Sequence, residues 1–159
     1  MMESPRVRHA VRAVVVDHDF NTLLVHLRFS KWAGWVLPGG GLLDGEEDAA
    51  GIRRELAEEL GLTGVDLRGP IWERTVRFSD PVDYDAQAER IYFVQCAPFT
   101  PAPHLSWEQL RAEGVTDVRW WTQQELNECT EVLAPSRLAV LLRALMSEGL
   151  PSGVVDVGE

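Results

Sequence analysis

Four acids spaced along one short segment, Asp48, Glu55, Glu58 and Glu59, are the residues of this chain best placed to do chemistry. At about 100° per residue, Glu55, Glu58 and Glu59 fall at roughly 0°, 300° and 40° on a helical wheel, and Asp48 near 20° extends the same stripe. Carboxylates three and four positions apart repel by a few tenths of a kcal/mol per pair, so such a stripe is a cost unless a cation sits among the acids. Mg²⁺ is held by a few carboxylates together with water and phosphate oxygens, which suits three glutamates facing one pocket. Arg54, four residues before Glu58, is placed to orient that carboxylate by an ion pair. Gly51 lies within the stripe without a side chain and leaves room for a glycine-rich loop or a phosphate to approach.

The element that must carry these acids is an amphipathic helix. Ala49, Ile52, Leu56 and Leu60 cluster between roughly 60° and 140° on the same wheel, and Gly61 is a natural C-terminal stop. Before the helix stands Pro38-Gly39-Gly40-Gly41, which reads as a tight loop whose backbone can come close to a metal or a phosphate. Arg28 and Lys31 lie upstream of that loop as cations for phosphate contact, or as ordinary solvated positives.

Gly40, Glu46, Arg54-Glu55-Leu56, Glu58-Glu59 and Gly61-Leu62 together resemble a complete Nudix box. The resemblance implies the Nudix fold: an α/β domain in which a mixed, curved β-sheet is sandwiched between α-helices and the box forms a loop-helix-loop at one edge. It further implies hydrolysis of a diphosphate linkage in a nucleoside diphosphate joined to another group, with Mg²⁺ or Mn²⁺ as cofactor. On that basis Glu58 and Glu59 are expected as principal metal ligands, Glu55 as a further ligand or the base, and a backbone carbonyl of Gly39 or Gly40 as a supplement. Arg54 and Glu46 are expected to orient them, with Gly39, Gly40 and Gly41 beside the substrate. The base in similar enzymes also comes from a loop, which makes Glu108 the second candidate, ahead of Glu113 and Glu89. A non-catalytic nucleotide sensor or partner-binding domain is the competing reading, although sensors can lose box carboxylates and none is lost here. The resemblance is also compatible with a homodimer. It does not name the substrate, because the places past the box where related subfamilies carry a proline or a tyrosine hold Arg77, Phe78, Ser79 and Asp80.

A chain of 159 residues that is 45% hydrophobic can fill one core and is short for two domains. The expected organisation is a loose segment 1–6, one domain over 7–150 and a frayed tail over 151–159. A net charge of −10 argues against a nonspecific nucleic-acid or anionic-membrane binder, so a polyanionic nucleotide would need metal ions. Cys96 and Cys129 have neither ligand spacing nor the density of a disulfide scaffold, which fits a soluble protein of a reducing cytoplasm. Strands are expected over His9 to Asp17, Thr22 to Arg28, Val65 to Phe78 with a break near Gly69-Pro70, Glu89 to Ala97 and Asp117 to Trp121. A short one is expected from Trp32 to Leu37. Pro98 to Gly114 reads as one loop, Thr122 with Glu125 as a capping box, and Leu138, Leu141, Leu142 and Leu145 as the apolar face of a last helix. Trp32, Trp72, Phe78, Tyr84 and Trp107 are candidates to stack on a base. His9, His18, His26 and His104 share no spacing and read as structural or exposed.

Overall fold

The computed structural model of the protein describes residues 3–79 and 81–159. Met1 and Met2, in the segment expected to be loose, and Asp80, one of the positions past the box, lie outside the described residues.

The β-branched run at the start of the chain forms β1 (Val7–Val16), and a turn about Asp17 sends the chain back as β2 (Thr22–Phe29) and β3 (Trp32–Val36). The side chain of Asp17 accepts from the backbone N–H groups of Asp19 and Asn21, both at 2.9 Å, and so stabilises the turn. Gly39–Gly41 follows as β4, then helix α1 (Asp48–Leu60), β5 (Arg68–Arg77) and β6 (Ala86–Gln95). The chain closes with α2 (Trp107–Ala112), β7 (Val115–Trp121), α3 (Gln123–Glu128), β8 (Leu133–Ala134), α4 (Leu138–Glu148) and β9 (Val155–Asp156).

One mixed sheet holds these strands in the order β8-β3-β2-β1-β6-β5-β9, with β4 added to β1 and β7 to β2. At its centre β1 and β6 run parallel in unbroken register from Val7 beside Ala86 to Val16 beside Gln95. Alternation along β1 feeds two cores. Val11, Ala13 and Val15 pack under Ile52, Leu56 and Leu60 of α1, and Val14 and Val16 pack with Leu138, Leu142 and Leu145 of α4. The α/β sandwich expected from the box is therefore present, and among the described residues no helix is long and apolar enough to cross a membrane.

Three local expectations change. Pro38 to Gly41 is not simply a loop: Gly39, Gly40 and Gly41 pair antiparallel with Arg12, Val11 and Ala10. A Cβ on Gly39 would fall 2.6 Å from the Arg12 Cα, so backbone close approach, and not a turn, requires glycine there. The stretch from Pro98 to Gly114 contains α2, which starts at a capping box of Ser106 and Gln109. Residues 151–159, read as a frayed tail, place β9 along β5 and bury Val157 in the α4 core.

Truncation of Val157 tests that docking. Val157→Ala should lower stability by about 1–2 kcal/mol, the value of two buried methyl groups. An unchanged denaturation midpoint would show that the end of the chain is not held against β5.

Candidate functional site

The second half of α1 carries the acids, and the helix does not expose them evenly. Glu55 and Glu59 are only 7% and 3% exposed, whereas Ala49, placed by periodicity on the apolar stripe, faces solvent. The buried face is thus shared by Ile52, Leu56 and Leu60 with Gly51, Glu55 and Glu59. Gly61 ends the helix in the left-handed conformation, and its N–H and that of Leu62 return to the Ala57 and Leu56 carbonyls.

Arg54 stands among the acids as the positive charge their spacing demands. Its Nε and Nη2 donate to the two carboxylate oxygens of Glu46 at 2.9 and 2.8 Å, a bidentate pair. Its Nη1 donates to Glu55 at 3.0 Å and to Glu58 at 3.4 Å, and Nη2 also reaches the Gly41 carbonyl at 3.1 Å. The contact with Glu58 that the spacing suggested is present and is the longest of the set. Glu46 is held by Arg54 and by the Leu43 N–H, which draw its pKa down to about 2.

The glycine strand closes the other side. The Gly39 N–H donates to Glu59 Oε1 at 2.8 Å, and a Cβ on Gly40 would fall 2.7 Å from Glu55 Oε1, so a side chain there would push this carboxylate from its place. The gap at Gly51 is taken by the Leu42 side chain and the Glu46 carboxylate, so the loop approaches there and no space for a phosphate remains.

Burial pushes the Glu59 carboxyl up to about 8, and the charge of Glu55 adds to the rise against the opposing pull of the Gly39 N–H and Arg12. Burial raises Glu55 as well, with Arg54 working against it. Glu113, at the end of α2, is close enough for its charge to act on both. It ranked behind Glu108 in the sequence. Glu108 lies in the first turn of α2 and is exposed, as is Glu113. Glu89, the third loop candidate, is a strand residue, 2% exposed, with its oxygens bound by Arg12 at 2.8 Å, Arg74 at 2.9 Å and Gln87 at 2.7 Å. Burial alone would raise its pKa, but the two guanidinium groups outweigh it and hold the carboxyl at about 2.

Other residues singled out in the sequence fall elsewhere. Asp48 leaves the stripe and pairs with Arg90 Nη2 and the Tyr92 hydroxyl, both at 2.7 Å, on β6. Arg28 lines a broad cavity of about 620 Å³ with His26, Trp35, Thr116 and Glu131, and shares none of its lining with the box. Lys31 is exposed at the turn between β2 and β3. Trp72 is core, while Trp32, Phe78, Tyr84 and Trp107 remain exposed. His26 bonds Thr116, and His9, His18 and His104 face solvent.

Among the described residues no three carboxylate, imidazole or thiol groups converge as they stand to hold an ion. Glu55 and Glu58 are drawn to Arg54 and Glu59 to Gly39. The donor set nevertheless fits a hard cation: oxygen ligands only, more negative charge than Arg54 balances, and a carboxylate cradled against open backbone at Gly40.

The model of the NUDIX domain matches residues 7–145. The chain is similar in structure to MutT, from a study of the Aliivibrio salmonicida and Vibrio cholerae proteins, at 19% identity and a TM-score of 0.59, covering 87% of this chain and 98% of that one. It is similar also to the NUDIX domain of Shewanella oneidensis NrtR complexed with ADP ribose, at 19% identity and a TM-score of 0.62 over 91% and 90% of the two chains. A third likeness is to a C. elegans Ap4A hydrolase, at 14% identity and a TM-score of 0.62 over 88% and 96%. At such identities these are likenesses of fold. No curated relative matches the chain in sequence.

Glu59 gives the metal-free protein a pH signature. A carboxyl raised from about 4.5 to about 8 on folding binds its proton more tightly in the native state, so its stabilising contribution is whole below pH 4.5, declines as pH rises and is gone above about 8. Thermal melts across that window should show the decline in the parent protein and lose it in Glu59→Gln; an identical slope in both would remove Glu59 as its source.

Proposed function

The chain belongs to the Nudix family, and from that premise we propose that it is a divalent-metal-dependent hydrolase that cleaves a diphosphate linkage in a nucleoside diphosphate joined to another group. The observation that carries this reading is the complete set of box carboxylates in one place, Glu46, Glu55 and Glu58 gathered around Arg54 and Glu59 held beside them by the glycine strand. A domain that only binds a nucleotide has no need of three acids whose charge exceeds that of their arginine.

In this reading Glu58 and Glu59 hold Mg²⁺ or Mn²⁺ with a carbonyl of the Gly39–Gly40 backbone, and Glu55 supports them from its cradle. The bound ion would neutralise phosphate charge and acidify an attacking water. Arg54 keeps the acids in place when the site is empty of substrate and pins Glu46 and the Gly41 carbonyl to the helix. Glu113 would take the water's proton: it stands at the end of α2 with its charge acting on Glu55 and Glu59, whereas both oxygens of Glu89 are bound by arginine. Nucleoside triphosphates, nucleotide sugars such as ADP ribose, and dinucleotides are the substrate classes to test.

A panel of these nucleotides, assayed for product with and without Mg²⁺, should show metal-dependent turnover. Glu58→Gln and Glu59→Gln should each lower kcat at least 100-fold. Tight nucleotide binding with no turnover in any metal would overturn the reading in favour of a binding domain. Glu113→Gln should cost about 10²–10⁴ in kcat, the range of a lost general base, while Glu108→Gln should stay near the parent rate. The reverse order would reassign the base.

A further inference from the structure

On the α4 face of the sheet, where the apolar core gives out, lie three buried ionic side chains. Arg12 and Arg74 are each 8% exposed and Glu89 2%. They come from three strands, β1, β5 and β6, and share one carboxylate. A buried ion pair of this kind is often no more stabilising than well-packed apolar residues of the same volume, so its presence asks for a reason other than stability.

The two arginines use Glu89 differently. Arg74 donates to it through Nη1 at 2.9 Å, and its Nε is buried without a partner. Arg12 donates to it through Nε at 2.8 Å and carries the connection on, for its Nη1 donates to the Leu37 carbonyl at 2.9 Å. Leu37 and Pro38 lead into the glycine strand. The Pro38 carbonyl accepts from the Ala13 N–H at 2.9 Å, and Gly39 lies so close to Arg12 that a Cβ would fall 2.9 Å from the Arg12 Cγ. The next N–H along, that of Gly39, is the one that donates to Glu59.

We propose that Glu89 is a positioning residue, which orients Arg12 so that Arg12 fixes the Leu37–Gly39 backbone and, through the Gly39 N–H, the carboxylate of Glu59. Arg74 serves only to complete the charge of Glu89. Two strands of the central sheet thereby set the aim of an acid on the helix that crosses their other face. The proposal rests on the reading of Glu59 as a metal carboxylate, but its geometry can be read with no substrate present.

The asymmetry between the two arginines is the test. Arg12→Lys and Arg74→Lys each keep the charge, and neither lysine can hold two acceptors in the fixed fork of a guanidinium. In the metal-free full chain, the Gly39 amide should exchange at least 10-fold faster in Arg12→Lys, after correction for global stability from the slowest amides of β1. It should be unchanged in Arg74→Lys. Mn²⁺ affinity, followed by the paramagnetic signal of the ion, should fall about 10–100-fold in Arg12→Lys, as expected when a partner of a metal ligand is lost, and within 2-fold of the parent in Arg74→Lys. Glu89→Gln, where it folds, should behave as Arg12→Lys. Equal effects of the two lysine variants, or an unmoved Gly39 amide in Arg12→Lys, would overturn the proposal and leave the trio a stability element. Absence of turnover on every nucleotide would sink the hydrolase reading without touching the amide result.

Discussion

The whole site depends on one guanidinium. Three glutamates at the end of α1 and a fourth in the preceding loop converge where little water reaches, and their mutual repulsion would part them if Arg54 were not in their midst. Its planar fork takes both oxygens of Glu46 and leaves Nη1 for Glu55 and Glu58. A lysine would supply the charge without that division of labour. The arrangement is also incomplete, because Glu59 is outside the reach of Arg54 and is steadied by a single backbone N–H. One arginine keeps the acids assembled, and the remaining negative charge leaves them ready for a second, external cation.

The sheet sorts chemistry by face. Under α1 it is apolar almost to the end, with the polar contact of Asp48 to Arg90 and Tyr92 fastening the first turn of the helix. On the α4 face the apolar core stops at Ile91 and Trp72, and the next inward positions along the same strands are Arg12, Glu89, Arg74 and Gln87. Strands that are hydrophobic at one end and ionic at the other let a single layer serve both as core and as the wall of a site. Two cations offset the burial of Glu89 and hold its carboxyl low, whereas in the metal-free protein burial and the charge of Glu55 push Glu59 up.

Much of this was legible in the sequence. The helix, its stop at Gly61, the box acids, the capping box at Thr122 and the apolar face of α4 all follow from local spacing and are present as expected. What escaped reading depends on partners distant in the chain. Three consecutive glycines carry no strand propensity, and β4 exists only because β1 accepts it. Arg12 and Glu89 are 77 residues apart, and each alone reads as an exposed charge on a strand. A faint signal was available: Arg8 and Arg12 share one face of β1, and Gln87 and Glu89 share the matching face of β6, opposite in character. Periodicity misplaces Ala49 because angle alone does not set burial: it points the same way as the buried Leu56 and Leu60 but lies in the first turn of α1, at the end of the helix, where the core does not reach.

The parallel ladder between β1 and β6 has a consequence for how the protein is made. Its partners are 79 residues apart, as in the contact of Arg8 with Gln87, so closing it means ordering a long loop before any reward arrives. The ion trio hangs on that step, since it spans β1, β5 and β6, whereas β4 needs β1 alone. On the ribosome α1 emerges well before β6, and a helix of 13 residues with no sheet to pack on is marginal in water. The last support of the site, the ion trio behind the glycine strand, is therefore complete only once β6 has paired with β1.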